Sequence, residues 1–359
     1  MLGSTSSMFF TAMKVLLVGY DQDRPLLIKI DTRGKVEWAK TISASGFPGL
    51  IRGITELDDQ GYFLVGGQDF GSEHTQAYDL IVLKVSPQGD SLWARRYDSG
   101  GDEWAENIQK TISGRLLITG GVKQLVDKNE ETSPLLMEID KDGNPVWMKH
   151  YLTLPGQSKS NATFEAVSEN ANGNFFVSGS ISGVVEGKAD RLLALVSPEG
   201  RLTWSNRYTR NREEALYRVM FRIGDDVILL GRSLAEENKE KNEPAGVMLR
   251  VDSQGDIKDS LVIESDNYNE FTSAAQLSPD QFLLLGHTTG FGAESPNIFV
   301  FSWDPSVKQP EKTQFWKAPL EMEEKNLNMI SLPNESRLIR FSDVTAYLKV
   351  RNLTITDRA

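Results

Sequence analysis

Short apolar stretches recur along the chain, and several are followed by a tight turn that ends in glycine and, four positions later, by tryptophan. The four copies read LLIKIDTRGKVEW, LIVLKVSPQGDSLW, LLMEIDKDGNPVW and LLALVSPEGRLTW. Their glycines and tryptophans are Gly34, Gly89, Gly143, Gly200, Trp38, Trp93, Trp147 and Trp204. A fifth copy, VMLRVDSQGDIKD, keeps Gly255 and has Asp259 in place of tryptophan. The glycine spacings of 55, 54, 57 and 55 residues define a repeat of about 55 residues.

A second glycine position recurs with the same period. Apolar runs such as YFLVGG, RLLITGG and NFFVSG end near glycines at positions 19, 66, 120, 179, 231 and 286. Each unit holds four short β-rich runs separated by Gly, Asp, Asn or Pro, which is typical of one blade of a propeller and not of alternating strands and helices. The pattern predicts an all-β fold, a single β-propeller with seven four-stranded blades. The last blade is weakly marked, so counts of six or eight stay open.

The predicted propeller covers the whole chain, 1–359, without an internal domain boundary. Its blades span residues 1–43, 44–98, 99–153, 154–209, 210–264, 265–320 and 321–359. The turn glycine is expected to supply a positive φ, which other residues adopt only with strain. The tryptophan is expected to cover the seam with the neighbouring blade, with its indole N–H on a carbonyl oxygen.

Composition and charge narrow the range of partners. A net charge of −11 and a pI near 5.0 argue against nucleic acid, which requires a basic footprint. The chain has no cysteine, and therefore no disulfide, thiolate nucleophile or cysteine-ligated metal. No apolar run reaches the roughly 18 residues of a membrane span, so no membrane insertion is expected. No signal peptide is visible at the start of the sequence.

The stretch from IDTRG to the tryptophan, and its copies, resembles the tryptophan-docking repeat of the quinoprotein-like (PQQ-like) propellers, in which glycine precedes tryptophan by four positions. Units such as YDLIVLKVSPQGDSLWARRYDSGGDEW also resemble those of bacterial surface and lipoprotein propellers. The resemblance implies a bacterial, often extracytoplasmic, protein. Quinoprotein dehydrogenases add a calcium-bound cofactor, an Asp base and usually a vicinal cysteine pair, which have no match in this sequence. We therefore expect no cofactor and favour the non-enzymatic scaffolds of the same repeat class.

The sequence offers two kinds of candidate metal ligand, and they are interpreted as a turn and as isolated histidines. DKDGN begins like a calcium loop at Asp140, but its twelfth position is Tyr151 where glutamate is required, so a turn is expected. His74, His150 and His287 lie in separate units without a carboxylate at zinc spacing. No metal site is predicted.

The links between strands 1 and 2 and between strands 3 and 4 of each blade are short, whereas many links on the opposite face are long. The long links read GQDFGSEHTQAYD, VKQLVDKNEETSP, SISGVVEGKAD and RSLAEENKEKNEPAG. Long loops on a rigid ring commonly carry binding, so this long-loop face is the predicted interaction surface, and we expect it to be acidic. Its candidate residues are Asp69, Glu73, Asp102, Glu103 and Trp104. In the segment GGDEWAE, the carboxylates around an aromatic ring either bind sugar, act as an acid–base pair at the separation that glycosidases use, or belong to a solvated loop between blades.

A charged column is predicted on the innermost strands, which line the channel of a propeller. Counting back from the second glycine position places Arg52, Glu106 and Glu165 at equivalent sites, with Arg218 one place off. Side chains alternate along a strand, and the apolar neighbours that suit the inter-blade side are Ile51, Ala105, Phe164 and Leu216. The charged column predicts a ring that pairs Arg52 with Glu106 and Glu165 with Arg218 or holds a polar ligand. A water-filled funnel without a ligand is the alternative.

Two functions are compatible with these features. The first is a non-enzymatic, monomeric scaffold that binds a protein partner or a polysaccharide through the long-loop face, in the bacterial periplasm or at the cell surface. The second is an enzyme that uses the central channel as a hydrolase, a lyase or a quinone-dependent oxidoreductase. The lack of cysteine, of a histidine pair and of a matching carboxylate set favours the first. A cytoplasmic location stays open because no signal peptide is visible.

Overall fold

The structure is a computed structural model. It describes residues 5–10, 14–21, 24–31, 35–43, 50–69, 78–126, 129–153, 161–185, 188–209, 214–233, 244–263, 268–278, 281–289, 297–304, 316–319, 322–326 and 340–343. These residues form 26 strands and no helix. No helix that could cross a membrane occurs among them. The prediction of an all-β fold is confirmed.

The strands form six antiparallel sheets, and most of each sheet consists of strands consecutive in the chain. Blade 1 contains β1 (Thr5–Phe10), β2 (Lys14–Asp21), β3 (Arg24–Asp31) and β4 (Val36–Ser43). Blade 2 contains β5 (Leu50–Glu56), β6 (Tyr62–Asp69), β7 (Tyr78–Val85) and β8 (Ser91–Tyr97). Blade 3 contains β9 (Asp102–Lys110), β10 (Leu116–Val126), β11 (Asn129–Ile139) and β12 (Pro145–Thr153).

The remaining three sheets continue the same order. Blade 4 contains β13 (Asn161–Glu169), β14 (Phe175–Val185), β15 (Lys188–Val196) and β16 (Leu202–Thr209). Blade 5 contains β17 (Glu214–Ile223), β18 (Asp226–Ser233), β19 (Ala245–Val251) and β20 (Ile257–Ile263). Blade 6 contains β21 (Asn269–Ser278), β22 (Gln281–Thr288) and β23 (Asn297–Trp303). The first strand of each blade packs beside the first strand of the next, from β1 to β21. This succession of sheets is the arrangement of propeller blades.

Three short strands near the C-terminus pair with the outer strands of earlier blades. They are β24 (Trp316–Pro319), β25 (Met322–Asn326) and β26 (Arg340–Asp343), which pair with β16, β12 and β4 respectively. An outer strand presents unpaired N–H and C=O groups, and an added strand satisfies them. The predicted count of seven blades is not confirmed, because the described strands of 321–359 extend other sheets and the part of the chain in view forms six.

Two of the predicted long loops are hairpins. β10 and β11 stay paired as far as Val126 and Asn129, and β14 and β15 as far as Val185 and Lys188. The predictions of loops over VKQLVDKNEETSP and SISGVVEGKAD were therefore wrong over most of their length. These segments contain Val, Leu, Ile and Thr at positions that suit strands, and their polar residues are compatible with the outer part of a hairpin.

The second glycine position faces a β-bulge in the innermost strand. In blade 2, Ile51 pairs with Gly66 and Gly53 pairs with Val65, so that Arg52 lies at the register shift between them. Blades 3 and 4 repeat this arrangement. A Cβ on Gly120 would lie 1.9 Å from the Trp104 carbonyl oxygen. Only glycine leaves room for the bulged backbone at this position.

Each turn glycine receives the tryptophan of the preceding blade. Gly89, Gly143, Gly200 and Gly255 have φ between 76° and 81°. A Cβ on Gly89 would lie 2.8 Å from the Trp38 ring, and one on Gly143 would lie 2.4 Å from the Trp93 ring. The Trp38 indole N–H donates to the Pro87 carbonyl oxygen in the same turn, at 3.2 Å. The structure therefore places these tryptophans in the seam between blades, as expected.

A tyrosine four positions after the tryptophan completes the contact. The hydroxyls of Tyr97, Tyr151 and Tyr208 donate to the carbonyl oxygens of the next blade's turn glycines, at 2.6, 3.0 and 2.7 Å. We call the tryptophan ring, the tyrosine hydroxyl and the turn glycine together the seam latch. The sequence analysis did not single out these tyrosines, although their spacing from tryptophan repeats in three units.

Trp147→Ala should lower the free energy of unfolding by about 3 kcal/mol, because it removes a large ring from a seam. Trp147 is half-buried and packs on the blade 4 core, and its ring lies against the Gly200 turn. Val146→Ala is the matched control, because Val146 is the adjacent residue and is 57% exposed, and it should change stability by at most about 0.5 kcal/mol. Denaturant unfolding measures both variants, and equal stabilities would contradict the seam placement.

Tyr97→Phe combined with Tyr208→Phe should reduce the loss of stability at alkaline pH. Burial raises the pKa of both hydroxyls above the ordinary value, which is near 10. The unfolded chain therefore releases these protons first, so their contribution to stability is present below about pH 10 and is lost as pH rises above it. Between pH 9 and pH 11 the wild-type chain should lose more stability than the double variant. Parallel pH profiles would show that the hydroxyls do not form the latch.

Candidate binding site at the seam of blades 2 and 3

The charged column coincides with the bulges of the inner strands. Arg52, Glu106 and Glu165 each lie at the register shift next to the residue that pairs with the second glycine, in β5, β9 and β13. A bulge redirects one side chain relative to its neighbours, and bulges are over-represented beside functional sites. The apolar neighbours Ile51, Ala105 and Phe164 are fully buried in the core. The register thus explains why charged and apolar residues alternate here.

The fourth member of the predicted column is only partly described. Arg218 belongs to β17, where the register between β17 and β18 shifts between Leu216 and Met220. The side chains of Leu216 and Arg218 lie outside the described part of the chain. The predicted pair between Glu165 and Arg218 therefore stays a prediction. Glu165 accepts a hydrogen bond from the Ser180 hydroxyl at 3.0 Å.

Arg52 and Glu106 join the inner strands of blades 2 and 3. The Arg52 guanidinium donates from Nη1 to Glu106 Oε1 at 2.5 Å, and the Trp104 indole N–H donates to the same oxygen at 3.0 Å. Glu106 is nearly buried, whereas Arg52 and Trp104 are partly exposed. The ring of Trp104 packs on Gly121, where a Cβ would lie 2.5 Å from the ring. One carboxylate therefore fixes both an aromatic ring and a guanidinium at the inner side of the seam.

The loop-face candidates do not all lie on a loop. Asp102, Glu103 and Trp104 belong to strand β9, and Glu103 is 0% exposed. The placement of Glu103 on an exposed loop was wrong, because the chain turns into the inner strand directly after Gly101. Asp69 ends β6 but its side chain is outside the described residues, as is all of Glu73.

Glu103 belongs to a buried acidic cluster with Asp79 and Asp98. One carboxylate oxygen from each residue lies within 4.8 Å of the others. Asp79 begins the core of β7 and is 1% exposed, and Asp98 follows β8. Burial raises the pKa of Asp79 to about 7, against the opposing effect of Arg96. Burial likewise raises the pKa of Glu103. The cluster lies at the long-loop end of the seam between blades 2 and 3.

Arg96 is the cation within this cluster. Its Nε forms an ion pair with Asp79 Oδ2, and its Nη2 donates to Asp98 Oδ2 at 3.0 Å. The sequence analysis missed Asp79 and Arg96. A signal existed, because blade 4 has Asp190 and Arg207 at the corresponding places, and each arginine follows the blade's tryptophan by three positions.

A second polar network joins blades 5 and 6. The Arg232 guanidinium donates to the Tyr268 hydroxyl oxygen at 3.0 Å, and that hydroxyl donates to Glu270 Oε2. His287 Nδ1 lies 3.1 Å from Glu270 Oε1. His287 therefore has a carboxylate neighbour that its sequence spacing did not reveal. Asp140, in contrast, accepts the backbone N–H groups of Asp142 and Asn144, so the predicted turn is confirmed.

No protein family and no curated protein matches this chain. Solved structures resemble it, among them three of low sequence identity. A protein of unknown function from Dyadobacter fermentans is 12% identical, with 84% of this chain and 94% of that one covered and a TM-score of 0.49. A variant of the Synechocystis apocarotenoid oxygenase is 12% identical, with coverages of 87% and 74% and a TM-score of 0.42. A xylan β-1,4-xylosidase from Bacillus halodurans is 8% identical, with coverages of 90% and 95% and a TM-score of 0.27.

These likenesses carry no information about activity, because the identities and TM-scores are too low. The resemblance to quinoprotein-like repeats is not confirmed by a family match and stays a prediction. The function must therefore be argued from the residues of the seam itself.

Glu106→Ala should lower the free energy of unfolding by about 1–3 kcal/mol, because it leaves two partly buried donors without their acceptor. Glu165→Ala is the matched control at the equivalent bulge. Glu165 is more exposed than Glu106, so its loss should cost about 1 kcal/mol or less. Thermal unfolding of both variants tests the difference. Equal costs would show that the contacts of Arg52 and Trp104 with Glu106 do not stabilise the seam.

Proposed function

We propose that this protein is a non-enzymatic propeller scaffold that binds a polysaccharide at the long-loop face. The observation that carries the proposal is the burial of the acidic cluster. Asp79 and Glu103 are the carboxyl groups with the raised pKa values in the described chain, and strands cover them almost completely. A general acid or base must reach its substrate within hydrogen-bonding distance. Carboxyl groups enclosed in a seam do not meet that requirement.

Recognition is assigned to the partly exposed groups next to the cluster. Trp104 offers an aromatic ring, and Asp102 and Arg52 offer charged hydrogen-bonding groups on the inner strands β9 and β5. Sugars combine apolar ring faces with hydroxyl groups, so an aromatic ring beside fixed charged groups suits them. The contacts of Arg52 and Trp104 with Glu106 hold these groups in position before any ligand arrives, which reduces the entropy cost of binding.

The seam latches support a scaffold role. They fix blades 2, 3, 4 and 5 to one another through turns on the face opposite the long loops, and so this part of the binding face rests on a rigid base. Membership of the tryptophan-docking repeat class, a monomeric state and a location in the bacterial periplasm or at the cell surface belong to this proposal. An acidic long-loop face also suits a neutral or basic ligand more than an anionic one.

The test is affinity electrophoresis of the purified chain in gels that contain neutral, acidic or amino-substituted polysaccharides. At least one gel should retard the wild-type chain, and Trp104→Ala should weaken that binding by about tenfold or more, as for other aromatic anchors. Leu92→Ala is the control, because Leu92 is 51% exposed on the outer strand β8, and it should bind like the wild type.

Three results would contradict the proposal. Retardation that is equal in Trp104→Ala would place binding elsewhere. Release of reducing sugars from a retarding polysaccharide would support the enzyme alternative. Failure to bind any polysaccharide, combined with stoichiometric binding of a purified protein that Trp104→Ala abolishes, would make the partner a protein.

A further inference from the structure

The acidic cluster draws its members from two blades. Asp79 comes from β7 and Asp98 from the link after β8, whereas Glu103 comes from β9 of the next blade. One oxygen from each carboxyl group lies within 4.8 Å of the others. Two oxygens that coordinate one calcium ion at about 2.3–2.6 Å can be at most about 5 Å apart. A single ion could therefore contact all three carboxyl groups.

Two buried oxygens of this cluster lack hydrogen-bond donors. Asp79 Oδ2 is held by the ion pair with Arg96, whereas Asp79 Oδ1 and Glu103 Oε2 accept no hydrogen bond. Glu103 Oε1 does accept, from the Ser99 hydroxyl and from the Gly101 backbone N–H at 3.0 Å. Buried carboxylate oxygens are normally satisfied by donors, water or metal, so the cluster has open ligand positions.

The charges do not balance within the described residues. Three carboxylates and the Arg96 guanidinium sum to a net charge of −2 when all are ionised, since −3 + 1 = −2. Blade 4 provides the comparison, because there Arg207 Nη1 donates to Asp190 Oδ2 at 2.6 Å and the pair is neutral. The seam of blades 2 and 3 adds two carboxylates to the same Asp–Arg pair. A bound divalent cation would offset this charge.

We propose that Asp79, Asp98 and Glu103 bind a calcium ion that joins blades 2 and 3. All protein ligands offered are carboxylate oxygens, which hard divalent cations prefer, and the cluster has no histidine or cysteine ligand. Calcium is favoured over magnesium because it accepts irregular ligand positions, whereas magnesium requires near-octahedral geometry. The ion is structural, and the polysaccharide proposal does not require it. Because Glu103 precedes Trp104 in β9, the ion would also hold the recognition strand in place.

The experiment begins with full-length protein treated with EDTA and then freed of the chelator by gel filtration. Isothermal titration with CaCl2 should give one site per chain. Saturating CaCl2, at about 100 times the dissociation constant, should raise the melting temperature by about 4 °C. MgCl2 at the same concentration should give a smaller shift, and NaCl at equal ionic strength should give none.

Three variants separate a specific site from general screening of charge. Asp79→Asn and Asp98→Asn should each weaken calcium binding by at least tenfold and remove the thermal shift. Asp98 is only partly buried, so Asp98→Asn keeps the test available if Asp79→Asn does not fold. Asp142→Asn is the control, because Asp142 is exposed in the turn between β11 and β12, and its calcium response should equal that of the wild type.

Two outcomes would overturn the proposal. The first is the absence of one-site heat and of a calcium-specific shift in the wild-type chain. The second is a calcium response that survives in both Asp79→Asn and Asp98→Asn, which would place the ion elsewhere. Loss of calcium binding with intact polysaccharide binding would leave the proposed function standing, and the reverse result would leave the calcium site standing.

Discussion

The seam latch is the contact on which the rest of the structure depends. A blade of four short strands has two apolar faces and cannot bury both by itself, so its stability comes from the neighbouring blades. The latch fixes this packing in the seams of blades 2 and 3, 3 and 4, and 4 and 5. The turn glycine has a positive φ and no side chain, and this lets a tryptophan ring lie against its Cα while a tyrosine hydroxyl bonds its carbonyl oxygen. The same three residue types thus set both the turn and the distance between blades.

Glycine plays a separate part at the inner strands. The bulge opposite Gly66, Gly120 and Gly179 brings backbone atoms close to the second strand. The residue at the bulge is released from the ladder, and in three successive blades it is charged: Arg52, Glu106 and Glu165. The core beside it stays apolar, because Ile51, Ala105 and Phe164 point into the blade packing. The bulge therefore permits a polar inner column without placing charge in the core.

Much of the fold could be predicted from local signals. Strand runs, tight turns and both glycine positions depend on residues close in sequence, and these gave the four-stranded units and the register position of the charged column. The tyrosine of the latch could also have been predicted, since Tyr97, Tyr151 and Tyr208 each follow a tryptophan by four positions. The pairing of β25 and β26 with earlier blades could not be predicted, because the sequence of a short strand does not indicate which sheet edge it joins.

The site at the seam of blades 2 and 3 was harder to predict for the same reason. Asp79 and Glu103 are separated by a strand and two links, and they meet only because adjacent sheets pack side by side. The burial of Glu103 also contradicts the expectation that the carboxylates between Gly101 and Trp104 lie on a solvated loop.

The contacts between neighbouring blades differ between the two ends of a seam. At the tight-turn end the latch recurs with the same residue types, since Tyr97, Tyr151 and Tyr208 all bond a turn glycine. At the long-loop end each seam has its own polar contacts. In the seam of blades 3 and 4, the Thr132 backbone N–H donates a hydrogen bond to Asn161 Oδ1. In the seam of blades 4 and 5, Arg191 Nη2 donates to the Arg232 carbonyl oxygen.

The contacts are the same from seam to seam at the tight-turn end and differ at the long-loop end, and this difference affects which residues can change. Once the latch holds a seam, polar residues at the other end are free to change without separating the blades, and a buried acidic cluster can persist there despite its cost. Among the described seams, that of blades 2 and 3 departs most from a simple Asp–Arg pair, because three carboxyl groups surround one arginine. A seam that the latch already holds can keep such a cluster, and the proposed cation would offset its negative charge.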